Sequence, residues 1–384
     1  MENIQKYDVA IVGGGVVGAA AAWKLSAAGA KVVLLEKGDI CSGASAANPG
    51  FCVLSYRENA LAMRLALLQQ ASWEKLEKEL GDLEYSPCGG MMPLSSEEQE
   101  AALSGLCRHA HGLGLKDIGI VTAKEAIALE PALSPKAIIG ACWCPGEGRV
   151  NPFKLNLAMI RRAKDLGARV LTHTPVTGVE LSGGRIGALY TPKGEFRADL
   201  IVCAAGAWAR EFTRMAGAEV PIRYERGEAM VSMQVAPRIT RMITDGALFV
   251  KSAAAPMVVG ACMAQSASGN IVLAQATTRP GNYDKTNTYE GPRAVAKRVV
   301  ELFPSLGDLE IIRMWAGLVS YVDDGRPVFG PMDSPENLFI ANSFHSAIAL
   351  SPGIGEMLAD FYRTGRVAEE AKPYSPMRFV KVVC

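Results

Sequence analysis

The segment AIVGGGVVGAAAAW, residues 10–23, carries the spacing G-x-G-x-x-G through Gly13, Gly15 and Gly18. An apolar run precedes the glycines and an alanine-rich run follows them, which predicts a buried strand, a tight turn and a helix. Glycines permit the tight turn and let the backbone approach a pyrophosphate at the helix N-terminus. We therefore expect a dinucleotide at this turn.

The residues after this helix complete a βαβ unit. The helix is predicted to end at Gly29, and AKVVLLEKG predicts a second strand that ends at Glu36. A carboxylate at this place accepts ribose hydroxyl groups and repels a ribose 2′-phosphate, which disfavours NADP. Strand, turn, helix, strand and acidic residue in register are far more specific than an isolated glycine motif. A βαβ unit without a ligand is the less favoured alternative.

Composition limits the classes of partner. The chain has 384 residues with an apolar fraction of 49%, which favours two domains over one. Its 40 basic and 39 acidic residues leave a net charge of +1. Because such a balance gives no broad basic surface, we expect a small-molecule substrate and no nucleic acid.

The sequence also lacks membrane and metal-binding signatures. No apolar run reaches the ~18 residues of a membrane span, and the start MENIQKYDVAIV does not look like a secretory signal. We therefore predict a cytoplasmic protein without a membrane span. The nine cysteines include Cys142 and Cys144 in a C-x-C pair and the terminal Cys384, but no C-x-x-C. We expect reduced thiols, no metal site and no iron–sulfur cluster on this chain.

Segments that resemble the nucleotide-binding unit recur along the chain. Residues 197–208, RADLIVCAAGAW, predict another buried strand, and residues 337–365 predict a strand, a loop and a helix. Between Val220 and about Arg313 the pattern changes to short strands. The predicted fold class is α/β, with one doubly wound domain interrupted twice by a mainly antiparallel domain. The predicted nucleotide-binding domain comprises residues 1–85, 146–218 and 322–384, and the predicted substrate domain comprises residues 86–145 and 219–321.

Several separated motifs identify a family resemblance. They are VAIVGGGVVGAAAAWKL, SGASAANPGF, EGRVNP, HTPVTGVE, LIVCAAGAWAREF, RGEAMVS, MWAGL, DGRPVFGP and FHSAIALSPGIGEMLA. Together they resemble the D-amino-acid oxidase (DAO) family of FAD-dependent oxidoreductases over nearly the whole chain. The chain looks most similar to glycine oxidase, sarcosine oxidase and the β subunits of heteromeric amino-acid and opine dehydrogenases. The resemblance implies FAD rather than NAD, and an architecture like that of DAO and glutathione reductase.

The resemblance also implies which residues contact FAD. At the pyrophosphate and adenosine they are Gly13, Gly15, Val16, Val17, Gly18, Glu36, Lys37, Val176 and Gly206; along the flavin they are Ser42, Ala44, Ser45, Pro49, Gly50 and Phe51; and at the isoalloxazine edge they are His345, Ser346, Ala347, Ile348, Ala349 and Leu350. A helix predicted to begin near Ser351, with Pro352 in its first turn, would present unpaired N–H groups to the negative charge of reduced flavin.

The pattern departs from the family at the substrate. Where free-amino-acid oxidases of the family commonly have WAGLR, with the arginine binding the substrate carboxylate, this chain ends the motif with Val319. The flavin-edge loop is two residues shorter than in glycine oxidase, and Cys262 stands where that enzyme places a tyrosine. Candidates for a catalytic or carboxylate-binding role are His345, Arg57, Arg223, Arg279 and Arg326, among which the sequence does not choose.

Three functions follow from this reasoning. The first is removal of hydride from the carbon beside an amine nitrogen, with transfer to flavin N5 and release of an imine. Sarcosine-, proline- or opine-like amino acids suit a site without the arginine. The second is a β subunit that passes electrons to partner flavin or iron–sulfur subunits. The third is a flavin-binding protein without catalysis.

Overall fold

The computed structural model describes residues 5–250 and 255–380, so Cys384 lies outside the described residues. Its strands are β1 (Gln5–Val12), β2 (Val32–Leu35), β3 (Phe51–Cys52), β4 (Gly90–Leu94), β5 (Gly119–Thr122), β6 (Gly140–Cys144), β7 (Gly148–Arg149), β8 (Arg169–Leu171), β9 (Gly178–Ser182), β10 (Arg185–Thr191), β11 (Gly194–Cys203), β12 (Arg223–Gln234), β13 (Met242–Thr244), β14 (Val258–Gln265), β15 (Asn270–Thr278), β16 (Ile311–Tyr321), β17 (Val328–Pro331) and β18 (Leu338–Asn342). Its helices are α1 (Val16–Ala27), α2 (Ala60–Gln70), α3 (Trp73–Leu80), α4 (Glu97–Gly112), α5 (Ala123–Leu129), α6 (Pro152–Asp165), α7 (Ala209–Met215), α8 (Glu290–Leu302) and α9 (Ala347–Thr364).

The first sheet is built around β1. Its order is β17-β18-β11-β1-β2-β8, and β18, β11, β1, β2 and β8 run parallel. Antiparallel strands β9 and β10 extend from β11. Val9, Ile11 and Leu34 are fully buried, as expected for parallel strands covered on both faces. Because parallel strands end at the same edge, Val12 and Leu35 come together at the edge where ligands bind in such folds.

Helix α1 fits between neighbours because its side chains are small. Its alanines at positions 19–22 are fully buried. A Cβ added at Gly355 of α9 would lie 2.5 Å from the Ala20 carbonyl oxygen, so the two helices touch closely at this glycine. The run of alanines and glycines therefore places the N-terminus of α1 firmly against the edge of the sheet.

The second sheet is nearly all antiparallel. Its order is β16-β12-β15-β14-β13-β4-β6-β5, and only β13 and β4 are parallel among its described pairs. The strands of the first sheet come from residues 5–35, 169–203 and 328–342, and those of the second from residues 90–144 and 223–321. The α/β prediction is confirmed, while the domain boundaries stay a prediction.

Helix α9 begins earlier than predicted. It begins at Ala347 rather than near Ser351, and Pro352 lies inside it rather than in its first turn. Proline has no N–H, so the carbonyl of Ile348 loses its usual helical partner. The Ser351 hydroxyl donates a hydrogen bond to this carbonyl at 3.1 Å instead. The helix can therefore continue through the proline.

Candidate cofactor and substrate site

A cavity of about 790 Å³ lies at the carboxyl edge of the first sheet. Predicted cofactor residues that line it are Gly13, Gly15, Val16, Val17, Glu36, Lys37, Ser42, Ala44, Ser45, Val176, Gly206 and Ala347. They come from five segments that are far apart in the sequence. The structure therefore brings together most of the residues that the family resemblance singles out, and their contact with FAD stays a prediction.

The glycine turn forms one wall of this cavity. Gly13 has φ +114°, and a Cβ there would lie 2.4 Å from the Ala204 carbonyl oxygen. Gly18 does not line the cavity, but a Cβ there would lie 1.9 Å from the Gly13 carbonyl oxygen. Gly18 therefore lets α1 begin directly against the turn. Helix α1 has no side-chain cap from Gly15, and the Val16 N–H donates to Ser45 Oγ at 2.9 Å. This wall of backbone N–H groups fits a pyrophosphate.

Glu36 is held in place by the backbone on both sides. The Gly14 N–H donates to Glu36 Oε2 at 2.6 Å, and the Gly38 N–H donates to Oε1 at 2.8 Å. Only 9% of the residue is exposed. Because each carboxylate oxygen accepts more than one hydrogen bond, both oxygens can still accept ribose hydroxyl groups. The geometry fits the predicted role.

Lys37 lies on an aromatic stack that the sequence did not reveal. Its Nζ is 3.1 Å from the centroid of the Trp208 ring, a cation–π contact. Trp208 stacks on Tyr283 at 5.4 Å, and Tyr283 stacks on Tyr224 at 4.5 Å. Burial lowers the pKa of Lys37 to about 8, although the charges of Glu36 and Glu211 act in the opposite direction. The cavity is also lined by three residues that the sequence did not identify as cofactor contacts: Trp208, Glu211 and Lys285.

The loop that follows Ala44 is fixed by Asn48. The Asn48 side-chain amide donates to the Ala44 and Ser45 carbonyls at 3.2 and 2.8 Å, and its oxygen accepts from the Gly50 N–H at 2.8 Å. A Cβ at Gly50 would lie 2.0 Å from the Val150 carbonyl oxygen. Beyond the loop, Phe51 packs in a buried apolar cluster with Cys262. The residues Pro49, Gly50 and Phe51 are not among those that line the cavity.

The N-terminus of α9 borders the cavity on the opposite side. Ala347 lines it, and Ser346, at the N-cap position, has φ +49° and makes no side-chain capping bond. The first N–H groups of α9 therefore lack a side-chain acceptor, which suits an anionic group. The other predicted flavin-edge residues do not line the cavity; they are His345, Ser346, Ile348, Ala349 and Leu350, of which the last three are buried.

A second cavity of about 460 Å³ adjoins the first. Val319, Ser320 and Ser343 line both cavities. The charged groups that line only the second are Glu58, Arg223, Glu225, Arg279, Asp323 and His345. The position where the family commonly has arginine therefore lies between the candidate cofactor cavity and a strongly charged pocket.

His345 and Glu58 form one rim of the second cavity. His345 Nδ1 lies 3.1 Å from Glu58 Oε1, and the His345 ring is 5.7 Å from that of Tyr56. Burial alone would raise the pKa of Glu58, but the hydrogen bond and charge of His345 lower it below its ordinary value. In contrast, burial raises the pKa of Glu225, against the charges of Arg279 and His345.

The four candidate arginines separate into two groups. Arg57 is 1% exposed and lines neither cavity; its Nε donates to the Val53 carbonyl at 3.0 Å and its Nη1 donates to the His345 carbonyl at 3.0 Å. Arg57 therefore supports the His345 loop from behind. Arg326 is exposed and also lines neither cavity. Only Arg223 and Arg279 of the four face the second cavity.

The described residues contain neither a membrane-spanning helix nor a cluster of metal ligands. Within residues 5–250 and 255–380, no helix is both long and apolar enough to cross a membrane. Across the same described residues, no cluster of three or more His, Cys, Asp or Glu side chains is arranged to hold a metal ion.

The class of protein follows from the match to a known family. Residues 8–361 match the family described as FAD dependent oxidoreductase, DAO. The chain belongs to this family. It is therefore an oxidoreductase and its cofactor is FAD, which confirms the predicted enzyme class and the predicted cofactor.

Three relatives are similar over nearly the whole chain. Glycine oxidase of Geobacillus kaustophilus is 30% identical over 386 residues, which cover 98% of each chain. A crystal structure of glycine oxidase from that organism matches with a TM-score of 0.88 and 27% identity, covering 98% of this chain and 99% of the other. L-proline dehydrogenase from P. horikoshii matches with a TM-score of 0.88 and 26% identity, covering 98% of both chains. Hydrogen cyanide synthase subunit HcnC of Pseudomonas protegens is 26% identical over 420 residues, covering 98% of this chain and 97% of the other.

Proposed function

We propose that the chain oxidises the carbon–nitrogen bond of N-substituted amino acids, such as sarcosine-, proline- or opine-like compounds. Similarity to a glycine oxidase and to an L-proline dehydrogenase supports an amino-acid substrate. The observation that carries the N-substituted class is Val319, at the junction of the two cavities, where the family commonly has a carboxylate-binding arginine. A simple amino acid offers few other contacts that would compensate.

The residues of the first cavity fit FAD. The N–H groups at the start of α1 would hold the pyrophosphate, and Glu36 with Lys37 would hold the adenosine ribose. When bound, FAD supplies a hydride acceptor at N5 and thereby the redox chemistry. The uncapped N-terminus of α9 would stabilise negative charge at the flavin edge. What remains for the chain is to orient the substrate's C–H bond and to keep its nitrogen unprotonated.

Val319 places an apolar side chain at the junction of the two cavities. Its side chain brings no charge to a carboxylate, and a charge-assisted hydrogen bond contributes roughly 1.5–3 kcal/mol. The loss of such a bond weakens binding by about one to two orders of magnitude. Glycine and D-alanine should therefore bind poorly, whereas N-substituted or cyclic amino acids gain additional contacts.

The test is anaerobic mixing of the purified yellow protein with a panel of free amino acids, N-methyl amino acids, proline and opines. Reduction of the flavin by the substituted compounds supports the proposal, and denaturation of the same sample should release FAD. If only unsubstituted amino acids reduce the flavin, the substrate class is wrong. If no amine reduces it, the chain is a flavin-binding protein without catalysis.

A second candidate is a subunit of a larger dehydrogenase. One relative is named as a subunit, HcnC. In addition, the first four residues of edge strand β16 include the exposed apolar side chains Ile311, Ile312 and Met314, and exposed apolar edge strands are typical of association surfaces. Consumption of oxygen by the isolated chain favours an autonomous oxidase. Reduction of a dye without formation of peroxide favours a subunit that passes electrons to partner flavin or iron–sulfur proteins.

A further inference from the structure

Three strands place a row of side chains across the wall of the second cavity. Glu225 of β12 is the cross-strand partner of Val319 of β16. On the other side of β12, Arg226 pairs with Thr278, so Arg279 follows β15 directly opposite Glu225. Directly paired residues of an antiparallel sheet point to the same face. Arg279, Glu225 and Val319 therefore form a transverse row, and all three line the second cavity.

A second arginine lies one step along the same face. Arg223 is two residues before Glu225 in β12, and alternate residues of a strand share a face. It pairs with Tyr321, which also lines the cavity. Diagonal neighbours in an antiparallel sheet are about 7–8 Å apart. Arg223 and Arg279 thus stand diagonally across this strand pair, with the Glu225 carboxylate next to Arg279.

The ion pair of Arg223 leaves room for exchange. Arg279 Nε lies 4.0 Å from Glu225 Oε2, and the Arg279 guanidinium carbon lies 5.5 Å from the centroid of the Tyr321 ring. Arg223 Nη2 lies 3.1 Å from Asp323 Oδ2, and 57% and 62% of the two side chains are exposed. Exposed ion pairs contribute little to stability because water solvates the separated charges nearly as well. A ligand carboxylate can therefore replace Asp323 without leaving a buried charge unpaired.

We propose that this cluster recognises a secondary amine flanked by two carboxylates, with Arg279 on the α-carboxylate, Arg223 on the second carboxylate and Glu225 accepting a hydrogen bond from the N–H of the neutral amine. Arg279 then takes over, from two strands away, the role that arginine has at the Val319 position in relatives. Guanidinium groups suit this role because their donors match carboxylate geometry. The assignment rests on the proposed function, since it takes an N-substituted amino acid to be the substrate.

The test compares a dicarboxylate with its neutral isostere. The probes are N-(carboxymethyl)alanine and N-(carbamoylmethyl)alanine, which differ only in the second carboxylate. Their dissociation constants with the FAD-loaded protein are measured by calorimetry. For the unmodified protein we expect the acid to bind about 10- to 100-fold more tightly than the amide.

Three variants separate recognition from structural damage. Arg223→Ala should bring the acid-to-amide preference close to one, whereas Arg279→Ala should weaken both probes by about 10- to 100-fold and leave the preference intact. Arg326→Ala is the matched control, since this exposed arginine lines neither cavity, and it should change neither value. Equal affinity for acid and amide in the unmodified protein, or an unchanged preference in Arg223→Ala, would overturn the assignment.

Anaerobic flavin reduction by the acid distinguishes this assignment from the proposed function. If the acid binds with the expected preference but neither the acid nor N-methylalanine reduces the flavin, the proposed function fails and the binding assignment stands. If N-methylalanine reduces the flavin while the acid and amide bind alike, the proposed function stands and the assignment fails.

Discussion

Replacement of Glu36 by arginine should remove most of the bound FAD. The carboxylate accepts N–H groups of Gly14 at 2.6 Å and Gly38 at 2.8 Å, and only 9% of the residue is exposed. A hydrogen bond to a charged group contributes roughly 1.5–3 kcal/mol, so the two bonds together stabilise the observed conformation of the turn by about 3–6 kcal/mol. Glu36→Arg leaves both donors without their acceptor and also removes the acceptor for the ribose.

The assay measures FAD affinity and folding separately. We expect FAD affinity, followed by flavin fluorescence on dilution, to fall by about one to two orders of magnitude, since half of the estimated energy, about 1.5–3 kcal/mol, corresponds to that change. Glu36→Gln keeps one acceptor oxygen and should lose less. Glu74→Arg, on the first turn of α3, is the control for adding the same charge away from the cavity. Retention of FAD by Glu36→Arg at unmodified affinity, in a folded protein, would show that Glu36 does not hold the cofactor.

Three further results are expected. Val319→Arg should tighten binding of sarcosine-like monocarboxylates by about tenfold. The gain should be larger in combination with Glu225→Gln, because the Glu225 carboxylate is the cross-strand partner that competes for the new positive charge. No gain in either variant would show that the pocket differs in shape from that of relatives. Gly18→Ala should lower the free energy of unfolding by about 1–3 kcal/mol in thermal or urea denaturation, since its Cβ would lie 1.9 Å from a carbonyl oxygen. Gly105→Ala in α4 should not destabilise, since its Cβ would meet only Arg108 Nη2 at an ordinary contact distance of 3.8 Å. The intensity of tryptophan fluorescence should change with a midpoint near pH 8. The Lys37 ammonium group over Trp208 carries its charge below its pKa of about 8 and loses it above that pH, and Lys37→Met should abolish the transition.

The first βαβ unit was predictable because its signals are local. The glycine turn, the alanine helix and Glu36 lie within one short segment, and each follows from periodicity or from the needs of a tight turn. The contact of Gly18 with Gly13 has the same local origin. Sequence spacing alone therefore suffices to predict this wall of the cavity.

Features that join distant segments were not predictable. The stack of Lys37, Trp208, Tyr283 and Tyr224 unites residues from four segments, and no local pattern announces it. The choice among the arginines likewise depends on tertiary structure, because only the pairing register of β12, β15 and β16 brings Arg279 opposite Glu225.

Burial and local hydrogen bonding explain the remaining differences. Arg57 looks like an ordinary surface arginine in the sequence, yet it is buried and bonded to two backbone carbonyls. The start of α9 was misplaced because proline usually marks a first turn, whereas here the Ser351 hydroxyl bonds to the carbonyl that Pro352 leaves without an N–H partner. Neither the burial of Arg57 nor the hydrogen bond of Ser351 can be read from the sequence, because both depend on the folded backbone.

The proposed preference for N-substituted amino acids depends on Val319, which leaves simple amino acids without their usual carboxylate contact. The most direct measurement is the rate of anaerobic flavin bleaching as a function of substrate concentration, with glycine and D-alanine compared with sarcosine, proline and an opine. We expect saturable bleaching by at least one N-substituted compound and little bleaching by glycine or D-alanine. Rapid, saturable bleaching of the unmodified protein by micromolar glycine would contradict this expectation.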